Sequence, residues 1–179
     1  MRLCVALIVL CGIAAPAASP ERSRVSPTLV AAMALRLDGR LARLMPDDPV
    51  MPIGLTQGTY ITGYGAVFMG SVNLAPMAGI TPFHQVISKE ELGRVHQKKM
   101  DRMPKLKDLM QNILVDLASS MDPVPSTEQI AVAISLFYFN GEETAGLPAQ
   151  IVMHAQRKAL LESRANKALL ASALRVEEF

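Results

Sequence analysis

The apolar stretch EQIAVAISLFYFN, from Glu128 to Asn140, is the feature that most constrains the fold. Mostly apolar side chains occupy both sets of alternating positions, a pattern typical of a strand that is covered on both faces inside a sheet. The segment Ala149–Gln156 alternates apolar and polar residues, which indicates a strand with one buried face. Because a short polar loop, NGEETAGLP, joins the two, we expect an antiparallel pair with 128–140 as a central strand.

A second pair of strands is predicted between Gly58 and Leu74. This segment, GTYITGYGAVFMGSVNL, is rich in β-branched and aromatic residues and is interrupted by glycines. We expect strands at about 58–62 and 66–74. At Gly63–Gly65 a turn and a bulge are both compatible with the sequence, and one continuous kinked strand is a further alternative.

A long helix is predicted between these two pairs. Ser88 and Glu91 have the spacing of a capping box, and helical periodicity of the apolar residues continues to Met121. Pro104 lies inside this run. Since an internal proline removes one backbone hydrogen bond and collides with the preceding turn, we expect a kink or a break there.

The remaining segments complete an α+β pattern. Ser26-Pro27 has the composition of a helix start, with an apolar stripe continuing to about Met45. Residues 158–172 have a helical pattern, and 174–179 fit a last short strand. The order α-ββ-α-ββ-α predicts a single domain in which an antiparallel sheet of about four strands packs against a long helix and two shorter helices.

The N-terminal residues have the pattern of a secretory signal peptide. Arg2 precedes an apolar run from Leu3 to Ala15, and small residues follow. A membrane span needs roughly 20 apolar residues, so this run is too short to be a permanent span. We therefore predict a signal peptide at 1–18, a periplasmic or secreted location, and no transmembrane segment in the mature protein.

Cleavage near Ala17 or Ala18 would leave one globular domain, 19–179. Cys4 and Cys11 both precede this site, so the mature chain would be free of cysteine. A lipoprotein signal is the alternative, but a large residue, leucine, stands immediately before Cys11 where a small one is expected. About 160 residues are enough to bury a core without disulfides.

The GYG sequence at 63–65, followed by a hydrophobic strand, resembles exported bacterial proteins of unknown function. The resemblance covers about residues 58 to 160. It implies export and no particular activity.

Motifs of common enzymes are missing from the sequence. It contains no Gly-x-Ser-x-Gly elbow and no His-Glu-x-x-His, and the predicted mature chain has no cysteine nucleophile. The formal net charge of +2 gives no general reason to expect nucleic-acid binding. No catalytic residue, cofactor or nucleic-acid partner is predicted.

One possible metal site lies in HQKKMDRM on the long helix. His96, Met100 and Met103 fall on one side of a helix at about 100° per residue. Imidazole and thioether groups are suitable ligands for Cu(I). Methionines also fill hydrophobic cores, and Met103 belongs to the apolar stripe of the helix.

A possible interaction face lies on the same helix, roughly opposite the apolar stripe. It consists of four basic residues, Arg94, Lys98, Arg102 and Lys105. Such a stripe suits an acidic partner, although a solvated outer face explains it as well.

Together these observations favour an exported, non-enzymatic binding or interaction module whose partner is an unknown protein or envelope component. The alternative is a small Cu(I)-binding protein that uses His96, Met100 and Met103. An unrecognised hydrolase is the second alternative, and no sequence feature points to it.

Overall fold

The computed structural model describes residues 25–77 and 87–179. The predicted signal peptide and both cysteines lie outside these residues. The elements are α1 (Pro27–Ala42), β1 (Met51–Pro52), β2 (Gln57–Ile61), β3 (Gly65–Asn73), α2 (Lys89–Ser120), β4 (Gln129–Leu136), β5 (Gln150–Gln156), α3 (Arg157–Glu162), α4 (Lys167–Ala173) and β6 (Arg175–Glu178).

One mixed sheet of six strands organises the described residues. Its order is β1-β3-β4-β5-β6, and β2 pairs with β3 beside β1. The α+β class and the packing of a sheet against a long helix are confirmed, but the sheet is not wholly antiparallel, because β3 and β4 run parallel. The reason is that α2 follows β3 and precedes β4 in the chain. It returns the chain to the end of the sheet where β3 began, so β4 runs in the same direction as β3.

The glycines at 63–65 form a hairpin turn. Gly63 and Gly65 have φ angles of 83° and 134°, in the region that favours glycine. The amide of Tyr64 donates to the carbonyl of Ile61 at 3.0 Å. A Cβ on Gly65 would lie 1.8 Å from the carbonyl oxygen of Gln129, so only glycine allows β3 to approach β4 this closely.

Strand β4 is central and buried on both faces, as its sequence predicts. It pairs with β3 on one side and antiparallel with β5 on the other. Ile130, Val132 and Ile134 pack in the main core with α1 and α2. Ala131 and Ala133, which alternate with them on the other face, are also buried.

The two long helices begin where their capping residues predict. The Ser26 side chain accepts from the amide of Leu29, and Ser88 and Glu91 form the complete capping box. Helix α2 continues through Pro104 without a break. No helix within residues 25–77 and 87–179 combines the length and the apolar character needed to cross a membrane.

Replacing Pro104 with alanine tests how well α2 accommodates its proline. Proline inside a helix costs about 3 kcal/mol relative to alanine. Pro104 is exposed, so we expect Pro104→Ala to raise the free energy of unfolding by about 1–3 kcal/mol, measured by urea denaturation. Asp108→Ala, at another exposed position of α2, should change it by no more than about 0.5 kcal/mol. Equal or lower stability of Pro104→Ala would contradict this expectation.

Candidate functional site

The three predicted copper ligands lie in different environments. Nδ1 of His96 is 2.8 Å from the carbonyl oxygen of Glu143. Met100 is 37% exposed and lies against Gly146, whereas Met103 is buried in the core. Among residues 25–77 and 87–179, no group of three or more histidine, cysteine, aspartate or glutamate side chains could hold a metal ion. Copper binding by the His/Met set stays a prediction.

The predicted basic face is divided by the structure. Arg94 and Lys105 are exposed, but Arg102 is buried and does not belong to an exposed face. The reason is helical geometry, because position 102 lies only about 40° around the helix from the buried Leu106. The exposed part of the face therefore lacks its central arginine.

Arg102 instead ties α2 to the loop before β1 and to the end of β3. Its guanidinium donates to the carbonyl oxygens of Leu74 and Asp48 and forms an ion pair with the Asp48 carboxylate. Lys98 pairs with the same carboxylate at 2.5 Å. The hydrogen bond from Lys98 and the nearby positive charges hold the pKa of Asp48 below its ordinary value. Two of the four predicted cations, Lys98 and Arg102, thus form ion pairs with Asp48 of the same chain.

A buried ion pair that the sequence analysis did not predict joins α2 to the loop after β4. Lys99 and Glu142 have side chains that are 1% and 0% exposed, with 2.7 Å between Nζ and Oε2. The ammonium also donates to the carbonyl of Phe137 at 2.7 Å and lies 4.5 Å from the ring centre of Tyr138. Glu142 Oε2 accepts in addition from the amide of Phe139. We call this arrangement the Lys99 latch.

Burial shifts the pKa values of two groups in the Lys99 latch. Desolvation lowers the pKa of Lys99, and the hydrogen bond and charge of Glu142 oppose that change. Burial raises the pKa of Tyr138 to about 12, and the Glu142 charge adds to the rise.

Lys99 lies within about 40° of both Val95 and Met103 around α2. A lysine in the apolar stripe was therefore the sequence signal for a buried, paired cation.

A larger cluster of cations lines a cavity between α1 and the C-terminal half of α2. The cavity has a volume of about 680 Å³, within the range of roughly 300–1,000 Å³ that is usual for small-molecule sites. Its charged lining residues are Arg36, Arg40, Arg43, Arg164 and Asp116. We call this space the arginine cavity. Positive charge exceeds negative charge in its lining by three, since four arginines face one aspartate.

Two of the four arginines have partners in the cavity and two do not. Arg36 donates to the hydroxyl of Ser120 at 3.0 Å, and Arg40 pairs with Asp116. The guanidinium groups of Arg43 and Arg164 have no hydrogen bond or ion pair with any residue in the described ranges. These two cations are available to a ligand.

The sequence of α1 accounts for most of this arrangement. Arg36, Arg40 and Arg43 follow at spacings of four and three, which places them on one side of the helix. The guanidinium of Arg43 lies against Gly39, where an added Cβ would be 3.3 Å from Nη2. The spacing was a signal that the sequence analysis missed. Arg164, in the turn between α3 and α4, joins the cavity only through the fold.

Comparisons of the chain with protein-family models, with curated proteins and with solved structures found no match. The geometry of the described residues, above all the arginine cavity, therefore indicates what the protein binds.

The Lys99 latch is tested by removing one charge at a time. Lys99→Met leaves the Glu142 carboxylate buried without its cation, so we expect the free energy of unfolding to fall by about 3–5 kcal/mol. The measurement is urea denaturation at neutral pH. The double variant Lys99→Met/Glu142→Leu should recover at least half of the loss, because it removes both buried charges.

The neighbouring Lys98 provides the matched control. Its ion pair with Asp48 is partly exposed, so Lys98→Met should cost no more than about 1 kcal/mol. If Lys99→Met lowered the free energy of unfolding no more than Lys98→Met does, the buried pair of Lys99 and Glu142 would not hold the loop after β4 to α2.

Proposed function

We propose that the protein is an exported, non-enzymatic binding protein of the cell envelope that holds an anionic ligand in the arginine cavity. The observation that carries this proposal is a pair of guanidinium groups, Arg43 and Arg164, that have no side-chain partner among residues 25–77 and 87–179 and line a cavity of about 680 Å³. Export rests on the predicted signal peptide. An anion in the cavity would supply the partners that these two arginines lack.

The placement of the arginines has an energetic cost that a ligand would offset. Like charges four residues apart on a helix, such as Arg36 and Arg40, destabilise it by about 0.2–0.5 kcal/mol. Asp116 neutralises only Arg40. Surplus charge of one sign in a concave site raises the local concentration of the opposite ion. The arginine cavity thus favours anions before any specific contact forms.

The two serines in the cavity support binding in preference to catalysis. Ser119 donates to the carbonyl of Val115, and Ser120 accepts from Arg36. Activation of a serine hydroxyl requires a base within hydrogen-bond reach, and the one carboxylate in the described lining, Asp116, pairs with Arg40 and with neither serine. Guanidinium groups themselves are always protonated in proteins and act as donors only.

The arginine cavity is a better anion site than the predicted face on α2. On that face Arg102 and Lys98 already share Asp48. The exposed cations that remain there, Arg94 and Lys105, are accompanied by the exposed carboxylates of Asp101 and Asp108. We therefore assign the contact with the envelope component to the cavity.

A pair of double variants tests the site. In Arg43→Gln/Arg164→Gln we expect the affinity for pyrophosphate, measured by titration calorimetry at physiological ionic strength, to fall at least about tenfold, because a hydrogen bond to a charged group contributes about 1.5–3 kcal/mol.

The matched control, Arg94→Gln/Lys105→Gln, removes the same charge from the exposed part of the α2 face. It should change the affinity less than about twofold, because exposed charges outside the site are screened by salt. Absence of pyrophosphate binding at millimolar concentration, or equal losses in the two double variants, would contradict the proposed function.

A further inference from the structure

The arginine cavity has an apolar wall that a small inorganic anion would not contact fully. Six of its lining residues are apolar: Ala32, Met33, Leu35, Leu37, Ile113 and Leu117. Leu35 is 63% exposed, so it gives this wall apolar surface that a ligand in the cavity would cover. The volume of about 680 Å³ is that of a drug-sized ligand and far exceeds that of a single oxyanion.

On the basis of the function proposed above, we propose that the ligand is a phosphomonoester with an apolar body. Its phosphate replaces the carboxylate of Asp116 as the ion-pair partner of Arg40. The phosphate binds among the arginines, and the apolar body covers the wall that includes Leu35.

The charge of the cavity selects a phosphomonoester over a carboxylate. Its lining holds an excess of three positive charges, and two of its arginines lack partners within the part of the chain that the structure describes. A phosphomonoester carries about −1.5 to −2 charges at pH 7 and offers three oxygens, whereas a carboxylate carries one charge and two oxygens. Since each guanidinium donates a planar pair of hydrogen bonds, several arginines are satisfied best by a group with three acceptor oxygens.

Asp116 provides Arg40 with the negative charge that the phosphate would replace. It pairs with Arg40, and the two side chains are 53% and 39% exposed. Exposed pairs of this kind contribute little to stability, so exchanging one carboxylate for a phosphate at Arg40 costs little. The Asp116 charge repels any anion in the cavity, and its removal should therefore strengthen binding.

The apolar wall predicts that affinity grows with the length of an alkyl chain. Each methylene that is fully buried raises affinity by roughly fourfold. We expect hexyl phosphate to bind at least about thirtyfold more tightly than inorganic phosphate, since only part of the chain need be buried. It should also bind at least about tenfold more tightly than heptanoate, because heptanoate has the same six-carbon apolar body but carries one negative charge against about 1.5 to 2.

The experiment is a calorimetric titration of the purified protein and of two variants with inorganic phosphate, hexyl phosphate and heptanoate. Asp116→Asn should bind hexyl phosphate about three- to tenfold more tightly, because a repulsive charge near the site has been removed. Asp108→Asn removes an exposed carboxylate of the same helix that does not line the cavity, and it should leave the affinity unchanged.

Vesicles distinguish a lipid from a soluble source of the same chemistry. Phosphatidylcholine vesicles containing phosphatidic acid present the phosphomonoester as a lipid headgroup, and vesicles containing phosphatidylglycerol present a phosphodiester. Capture by the first and not the second, with release by hexyl phosphate, supports a lipid ligand. Binding of hexyl phosphate without capture by either vesicle supports a soluble phosphomonoester.

The outcomes separate this inference from the proposed function. Equal affinities for inorganic and hexyl phosphate, or an unchanged affinity in Asp116→Asn, would overturn the inference while leaving an anion site that depends on Arg43 and Arg164. If neither these ligands nor pyrophosphate binds, both proposals fail.

Discussion

The packing of α2 against one face of the sheet is the constraint on which the rest of the structure depends. Its apolar stripe forms one core with α1, β3, β4 and β5. The same helix connects β3 to β4, and this connection makes their pairing parallel. Its N-terminal half carries the Lys99 latch, and its C-terminal half supplies Asp116, Ser119 and Ser120 to the arginine cavity. A shift of α2 would therefore disturb the core, the loop after β4 and the cavity together.

The elements of this fold are largely predictable because their signals are local. Capping residues mark the starts of α1 and α2, and two buried faces identify β4 as a central strand. The direction of pairing between β3 and β4 is not local, since side-chain periodicity is the same in parallel and antiparallel strands. The two-residue strand β1 gives no periodic signal at all. Of the kink or break predicted at Pro104, the break does not occur, because α2 continues through it from Lys89 to Ser120.

The candidate site was less predictable, for reasons that differ between residues. Arg102 was assigned to an exposed basic face and Lys99 was given no role, yet their phase on α2 places both beside the apolar stripe. Arg36, Arg40 and Arg43 share a face that is visible in the sequence. Arg164 and Asp116 come to that face only through tertiary packing, so the charge balance of the cavity follows from the fold rather than from any motif.

The most direct test of anion binding in the arginine cavity is to observe the guanidinium groups themselves. Nitrogen-15 NMR of the arginine Nε–H groups, recorded while hexyl phosphate is added, reports each arginine separately. We predict saturable shifts of Arg43 and Arg164 at one common affinity, with Arg94 unchanged. Shifts that are confined to Arg94, or that rise without saturation at every exposed arginine, would contradict it.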